Sequence, residues 1–239
     1  MRPSVRFEIK YRVPPGVAED LAAHLARYMQ PDEHGEGGGA SYPVHSLYLD
    51  APSFSIYRET AEDAYSRYKL RARCYDFAPG RKFFLEVKSR SGEAMTKTRA
   101  AASFEETRQI LSGAGSDRSD PALAAFMAAR DGRRARPVAW ITYDRAAYVG
   151  GERSLVRITF DSEVKAALPT PDLSEPARWY VLPEVVGLVV VEVKYTGSYP
   201  AWVAETVRRF GIHRSSMSKY RQGIDALIAA DLLPALRAA

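Results

Sequence analysis

The sequence predicts an α+β fold in which an antiparallel β-barrel, a tunnel with a charged interior, is flanked by helices. Three observations predict it. First, Arg67-Tyr68-Lys69-Leu70-Arg71-Ala72-Arg73-Cys74-Tyr75 alternates, so on a strand Lys69, Arg71 and Arg73 share one face and Tyr68, Leu70, Ala72 and Cys74 the other. Second, the alternation recurs: Arg6, Glu8 and Lys10 against Phe7, Ile9 and Tyr11, and Glu86 and Lys88 against Leu85 and Val87. Lys97 with Arg99, Arg157 with Asp161, and Glu192 with Lys194 keep even spacing too. Third, turn-formers separate these runs, as at Pro79-Gly80, Ser91-Gly92 and Gly150-Gly151. One such strand alone reads as the solvated face of a sheet. Many of them, each with a charged and an apolar face, fit a barrel that gathers the charges inside.

The elements follow in order. Residues 5–13 alternate as a strand that Pro14-Pro15-Gly16 ends, and Val17, Leu21, Leu25 and Met29 recur at helical spacing over 17–29. Residues 30–41 are polar and Gly-rich, a loop. A strand over 44–50 and a short helix over 54–62 precede the Arg/Lys strand. Residues 82–89 pair back as a hairpin, and 94–101 form the next strand. Helices are expected over 104–111 and 121–129, and strands over 137–149, 153–161 and 185–195, with 164–168 continuing the sheet. A helix over 200–210, with Pro200 at its first turn, and a last helix over 216–233 complete one domain spanning 1–239.

The composition, 46% hydrophobic and 26% charged, is that of a globular domain with a sizeable core. Lys plus Arg number 34 and Asp plus Glu 29, a net +5 that suits an anionic partner. The single cysteine, Cys74, excludes an internal disulfide framework and sits on the apolar side of its strand. No run approaches the roughly 18 apolar residues of a membrane span, and the N-terminus has no apolar signal core. A cytoplasmic protein without direct membrane insertion is expected, with a membrane-bound partner protein left open. Nucleic acid is not an expected partner, because Tyr68, Tyr75, Phe83 and Phe84 offer no evident stacking platform with the cations.

The inward cations are Arg6, Lys10, Lys69, Arg71, Arg73, Lys88, Lys97, Arg99, Arg145, Arg157 and Lys194; the inward acids are Glu8, Glu86, Asp161 and Glu192. Burying these cations without anions costs several kcal/mol per unpaired ion, so water or a polyanion must fill the cavity. A linear chain of phosphates satisfies many such donors at once, Arg as a fork and Lys as a point charge. Each acid either neutralises its neighbours or holds a divalent cation, magnesium or manganese. Glu192 is the best metal candidate, with Lys194 on its own strand face. Nucleotide loops of the G-x-x-x-x-G-K-[ST] and G-x-G-x-x-G types, a G-x-S-x-G elbow and a plausibly spaced Cys/His pair are absent from the sequence. Phosphoryl transfer needs none of them, since positioning and charge stabilisation carry it.

The chain resembles the VTC domain, the polyphosphate polymerase domain of vacuolar transporter chaperone proteins, within the triphosphate tunnel metalloenzymes. The resemblance rests on Arg6-Phe7-Glu8-Ile9-Lys10-Tyr11, on Ser46-Leu47-Tyr48-Leu49-Asp50 with Tyr57-Arg58, and on the K-x-R-x-R-x-Y run from Lys69 to Tyr75. Phe84-Leu85-Glu86-Val87-Lys88 with Lys97, Tyr143-Asp144-Arg145, Arg157-Ile158-Thr159-Phe160-Asp161, Glu192-Val193-Lys194-Tyr195 and Ser218-Lys219-Tyr220 follow in the family's order. It implies an antiparallel tunnel and synthesis of polyphosphate from ATP with Mn2+ or Mg2+, ADP being released. It further implies that Lys10, Arg71, Arg73, Lys88, Lys97, Arg157 and Lys219 contact phosphates. Tyr143, Ser218 and Arg58 assist, and Glu192 holds the metal. Neither the SPX-like domain nor the membrane segment of the eukaryotic polymerases is present, so a stand-alone bacterial member is expected. Arg6 stands where related triphosphatases carry the first glutamate of E-x-E-x-K, which favours binding a phosphate chain over two-metal hydrolysis. A triphosphatase or nucleotide cyclase of the same barrel, or a non-catalytic sensor of polyphosphate or nucleotide, are the alternatives.

Overall fold

Alternation and turn chemistry produce an antiparallel sheet with flanking helices, as expected, but among the described residues its strand order has two ends rather than closing as a barrel. The computed structural model describes residues 6–32, 41–92, 94–150 and 156–233, with only the backbone of Arg6. Its strands form one hydrogen-bonded sheet in the order β1-β10-β8-β7-β3-β4-β5-β6, with β2 paired to β7 and β9 to β8. Among the described residues β1–β10, β10–β8, β2–β7, β3–β4, β4–β5, β5–β6 and β8–β9 pair antiparallel. In that order β1 and β6 are the two terminal strands. The chain clusters into two compact units.

The first unit comprises Met1–Pro43, Tyr143–Val164 and Pro183–Met217. It holds β1 (Arg6–Val13), α1 (Pro15–Leu25), β2 (Met29–Pro31), β10 (Val189–Thr196) and α5 (Ala201–Arg209), with parts of β7 (Arg136–Gly150) and β8 (Arg157–Ala167). Tyr11 and Val13 from β1, Val191 and Val193 from β10, and Leu21 and Leu25 from α1 share one core. The helix is shorter than its hydrophobic repeat. After Leu25 the chain closes a turn, Tyr28 N–H donating to Leu25 C=O at 2.9 Å, and Met29 begins β2 opposite Gly150. Met29 is still buried, so its place in the repeat reflects the core rather than the helix. β10 begins at Val189, not Val185, because Pro183–Val185 forms a 3-10 turn and Gly187 takes a left-handed φ of 65°. Of the expected glycine turn after β7, Gly151 lies outside the described residues.

The second unit comprises Val44–Thr142, Lys165–Leu182 and Ser218–Ala239. It contains β4 (Ser66–Cys74), β5 (Phe83–Ser91), β6 (Ala94–Ala102) and most of β3 (Tyr42–Asp50). With them are α2 (Ser55–Ala61), α3 (Phe104–Leu111), α4 (Pro121–Arg133), β9 (Tyr180–Val181) and α6 (Lys219–Ala229). Leu70, Ala72 and Cys74 of β4 and Phe83, Leu85 and Val87 of β5 are buried, and α3 and α4 lie against these strands. Burial pushes the Cys74 thiol up to about 12, which suits a packing residue. Ser103 and Asp120 cap α3 and α4 by accepting from Glu106 N–H and from Ala122 and Leu123 N–H. Arg81, next to the Pro79-Gly80 turn, lies over the rings of Phe77, Phe83 and Phe104 and donates to the carbonyls of Phe77, Ala78 and Leu173.

Among the described residues no helix is long and apolar enough to cross a membrane. Helix α6 meets β7 and β8 at Gly223, where a Cβ would fall 2.0 Å from Ile141 Cδ1 and 3.5 Å from Ala166 Cβ. Ile141 is fully buried and β-branched, so it yields only by displacing its neighbours. Gly223→Ala gains up to about 1 kcal/mol of helix propensity but overpacks the core by roughly 1–3 kcal/mol. Urea unfolding should therefore show net destabilisation, and Ile141→Val in the same chain should recover part of it. A Gly223→Ala variant as stable as the parent would disprove the close approach.

Candidate functional site

In the second unit the strand registers stack the charged side chains in rows. Lys69 pairs with Lys88 and Lys88 with Lys97, so three lysines lie side by side across β4, β5 and β6. The next row runs Tyr48, Arg71, Glu86, Arg99, and the one after it Ser46, Arg73, Phe84, Ala101. Directly opposed side chains on neighbouring strands lie about 5 Å apart. Among the described residues, this face therefore gathers Lys69, Arg71, Arg73, Lys88, Lys97 and Arg99 around Glu86.

Glu86 is fully buried. Arg71 Nε donates to it at 2.6 Å, Lys97 Nζ lies at 2.5 Å and Arg99 Nε at 3.6 Å. Burial alone would raise its pKa, but the charges of Arg71, Arg73 and Lys97 outweigh burial and hold it well below the usual carboxylate range. Lys97 is pulled down to about 8, first by lost hydration and then by Arg71, with Glu86 acting the other way. Arg71 also donates to the Tyr48 hydroxyl at 3.2 Å. Tyr48 stacks on Tyr220, ring centres 4.8 Å apart, and the Tyr220 hydroxyl donates to Asp50. Asp50 in turn accepts from the N–H groups of Ala51, Ile56 and Tyr57, tying β3 to the start of α2. Arg73 donates to Ser46 Oγ at 3.3 Å, and Lys69 donates at 2.8 Å to Ser218 Oγ, the cap of α6. Lys219 is the buried first residue of that helix. Arg58 is on the exposed side of α2.

The first unit carries a second charged face, built differently. Glu8 opposes Lys194 and Lys10 opposes Glu192 across β1 and β10. Lys10 Nζ reaches Glu8 at 3.3 Å and Glu192 at 3.8 Å, and Lys194 Nζ reaches Glu192 at 3.0 Å and Glu8 at 4.0 Å. Lys10 also donates to Met217 C=O at 2.7 Å. Arg145, buried beside Tyr143, donates two bonds to Asp161, at 2.6 and 2.7 Å, and lies 3.8 Å from Glu192. Arg157 is paired with Asp32 and donates to Tyr42 hydroxyl at 3.4 Å. Among the described residues, Lys10, Lys194, Arg145 and Arg157 meet Glu8, Glu192, Asp161 and Asp32, four charges of each sign. The side chain of Arg6 is outside the described residues; its backbone opposes Thr196.

Sequence reasoning missed Asp32 and Tyr42, and quoted Tyr48 and Tyr220 within motifs without giving either a role. Tyr48 was within reach of it, since it alternates with Leu47 and Leu49 on the face that opposes Arg71. Asp32 falls in what reads as a polar loop, with nothing in its neighbourhood to mark it.

Glu86 gives a direct stability test. A carboxylate whose folded pKa is depressed contributes stability above its unfolded value, and loses it as pH falls through the folded one. Glu86→Gln should cost about 3 kcal/mol at neutral pH, because its cations lose a buried partner. The gap between variant and wild type should narrow in acid. Tripolyphosphate should stabilise the variant more than the wild type by replacing the lost charge. Equal unfolding midpoints of the two proteins at neutral pH would overturn this role.

A family model for the VTC domain matches residues 5–228. No curated protein matches. Among solved structures, a candidate adenylate cyclase from Bacillus halodurans aligns with a TM-score of 0.54 and 13% identity, covering 90% of this chain and 94% of that one. A Pyrococcus horikoshii protein aligns at 0.47 and 14% identity, covering 91% and 95%. The mimivirus capping enzyme triphosphatase aligns at 0.37 and 9% identity, covering 87% of each chain. The first likeness is one of fold, and the fold expected from the sequence, an antiparallel sheet of the tunnel type with flanking helices, is the one observed. The family match runs from β1 into α6 and takes in every charged row just described; the chain belongs to the VTC domain family.

Proposed function

We propose that this chain is a polyphosphate polymerase that transfers the γ-phosphoryl group of ATP to the end of a growing polyphosphate chain. A terminal chain oxygen bonds to the γ-phosphorus, the bond from that phosphorus to the β,γ-bridging oxygen breaks, and ADP leaves with the electron pair. The observation that carries this reading is the row Lys69-Lys88-Lys97 beside Arg71 and Arg73, which brings five cations to the face of Glu86. Charge density of that kind suits a run of phosphates better than a single one. Arg71, Arg73, Lys88 and Lys97 bind phosphate in this reading, with Lys69 and Ser218 beside them, and Lys219 opens α6 next to Ser218. In the first unit Lys10, Arg157 and Lys194 bind phosphate by exchanging their carboxylate partners for it. Arg145, engaged by Asp161, orients Glu192. Tyr143 supports Arg145, while Arg6, as an inward cation of β1, and Arg58, by motif position, are further phosphate ligands in this reading.

Among the described residues no three His, Cys, Asp or Glu side chains converge as a metal site. Glu8 and Glu192 nonetheless converge on the same two ammonium groups. Two carboxylates with phosphate oxygens are a donor set that Mg2+ or Mn2+ accepts. Glu192, with Glu8, would hold such an ion, whose chemistry is to neutralise charge on phosphate oxygens.

Incubation with ATP and Mn2+, followed by sizing of the products, tests the reading. Long phosphate chains with ADP are expected. Orthophosphate or a cyclic nucleotide with diphosphate would favour the triphosphatase or cyclase alternative, and unchanged ATP the sensor. Glu192→Gln should still bind tripolyphosphate and lose metal-dependent turnover by roughly 100-fold, the scale of a lost electrostatic contact; undiminished turnover would clear it. Lys97 releases its proton near 8. Phosphate binding should therefore weaken from about pH 7 to pH 9, and Lys97→Arg, charged throughout, should flatten that dependence. Identical pH profiles would show that Lys97 does not contact phosphate.

A further inference from the structure

We propose that Tyr75, Phe84 and Arg99 form a subsite for the base of a nucleoside triphosphate, which fixes the direction in which the triphosphate lies over β4, β5 and β6. The inference rests on the phosphate-binding reading of the same face and adds what that reading leaves out: how a nucleotide is told from a bare phosphate chain.

The Arg99 guanidinium carbon sits 3.6 Å from the centre of the Phe84 ring. Its Nη2 donates to the Tyr75 hydroxyl at 3.4 Å, and Tyr75 meets Phe84 edge-on with centres 5.9 Å apart. The Arg99 side chain is 37% exposed, so the stack is open to solvent. Arginine planes and aromatic rings are the surfaces on which bases stack in single-stranded nucleic-acid sites, and stacking tolerates any base. Arg99, already lying over the Phe84 ring and tied to the Tyr75 hydroxyl, needs little reordering to take one. Arg99 also differs from the arginines of β4. Glu86, 3.6 Å away, offsets part of its charge, which suits it to stacking more than to holding phosphate.

The registers then give a direction. Phe84 shares its row with Arg73; the next row holds Arg71, Glu86 and Arg99, and the one beyond it the three lysines. Successive same-face positions lie about 7 Å apart along a strand. A base on Phe84 and Arg99 places the first phosphates by Arg73 and Arg71 and the terminal one by Lys88. The sequence had offered Tyr75 and Phe84 without a cation partner; the pairing of β5 with β6 supplies Arg99.

Isothermal titration without divalent cations tests this with ATP, ADP and tripolyphosphate. Phe84→Leu should weaken ATP binding roughly tenfold, the lower part of the stacking range, and leave tripolyphosphate within about twofold. Phe84→Trp should retain or tighten ATP binding. Lys88→Ala should weaken ATP more than ADP, because ADP ends before the lysine row. Should Phe84→Leu leave ATP unchanged, or weaken ATP and tripolyphosphate alike, the stack merely packs β6 and the subsite is wrong. An equal loss of ATP and ADP in Lys88→Ala overturns the direction. A wild type that binds none of the three overturns the phosphate reading itself, and this subsite with it.

Discussion

Glu86 has no solvent exposure, yet its carboxylate stays ionised because Arg71, Arg73 and Lys97 surround it. That single negative charge allows three neighbouring strands to carry cations on the same face. Arg71 comes from β4, Glu86 from β5, and Lys97 and Arg99 from β6, so the cluster also fastens their register. A slip of β5 by one residue would turn Glu86 toward the apolar side and away from Arg71, Lys97 and Arg99. Helices α3 and α4, packed on these strands, make such a slip costly from the other side. The charged rows are therefore a folding constraint before they are a binding surface.

The two units resolve the same problem, many buried charges, in opposite ways. Around β1 and β10 the acids and bases alternate across strands, and each ammonium group faces two carboxylates. Such a lattice is satisfied internally, and a new ion must displace a partner to enter. Around β4–β6, among the described residues, Lys69, Arg71, Arg73, Lys88, Lys97 and Arg99 gather on the face of Glu86. The two faces thus differ in electrostatic character. Arg145 shows the difference most plainly: it is among the most buried of the cations, and Asp161 has already claimed its fork.

Much of this was legible in side-chain parity. The face of Lys69, Arg71 and Arg73, the strands on either side of it, and the bounds of α3 follow from alternation, turns and capping residues alone. Parity does not say which strand lies beside which, so neither the lysine row nor the grip of Glu86 on Arg71 could be read. The register that creates them is set by backbone hydrogen bonds. The same limit hid β2 and β9, short strands held by pairing rather than by any pattern. It also misread Met29, whose burial in the core mimics a further helical turn. Arg145 looked like one more inward cation because Asp161 is its partner across a strand pair, sixteen residues away in sequence.

The place of Lys97 and Arg99 on β6, the terminal strand of the sheet, has a consequence beyond ligand binding. A terminal strand presents backbone donors and acceptors on which the strand of another chain can grow. Two exposed cations there repel a second copy of the same strand, and the sheet is discouraged from extending into aggregates. On the proposed reading, colloidal behaviour and ligand affinity are linked through the same pair of side chains. Removing their charge to weaken binding would also leave a flatter, stickier edge, and loss of solubility in such variants would belong to β6 rather than to the binding face.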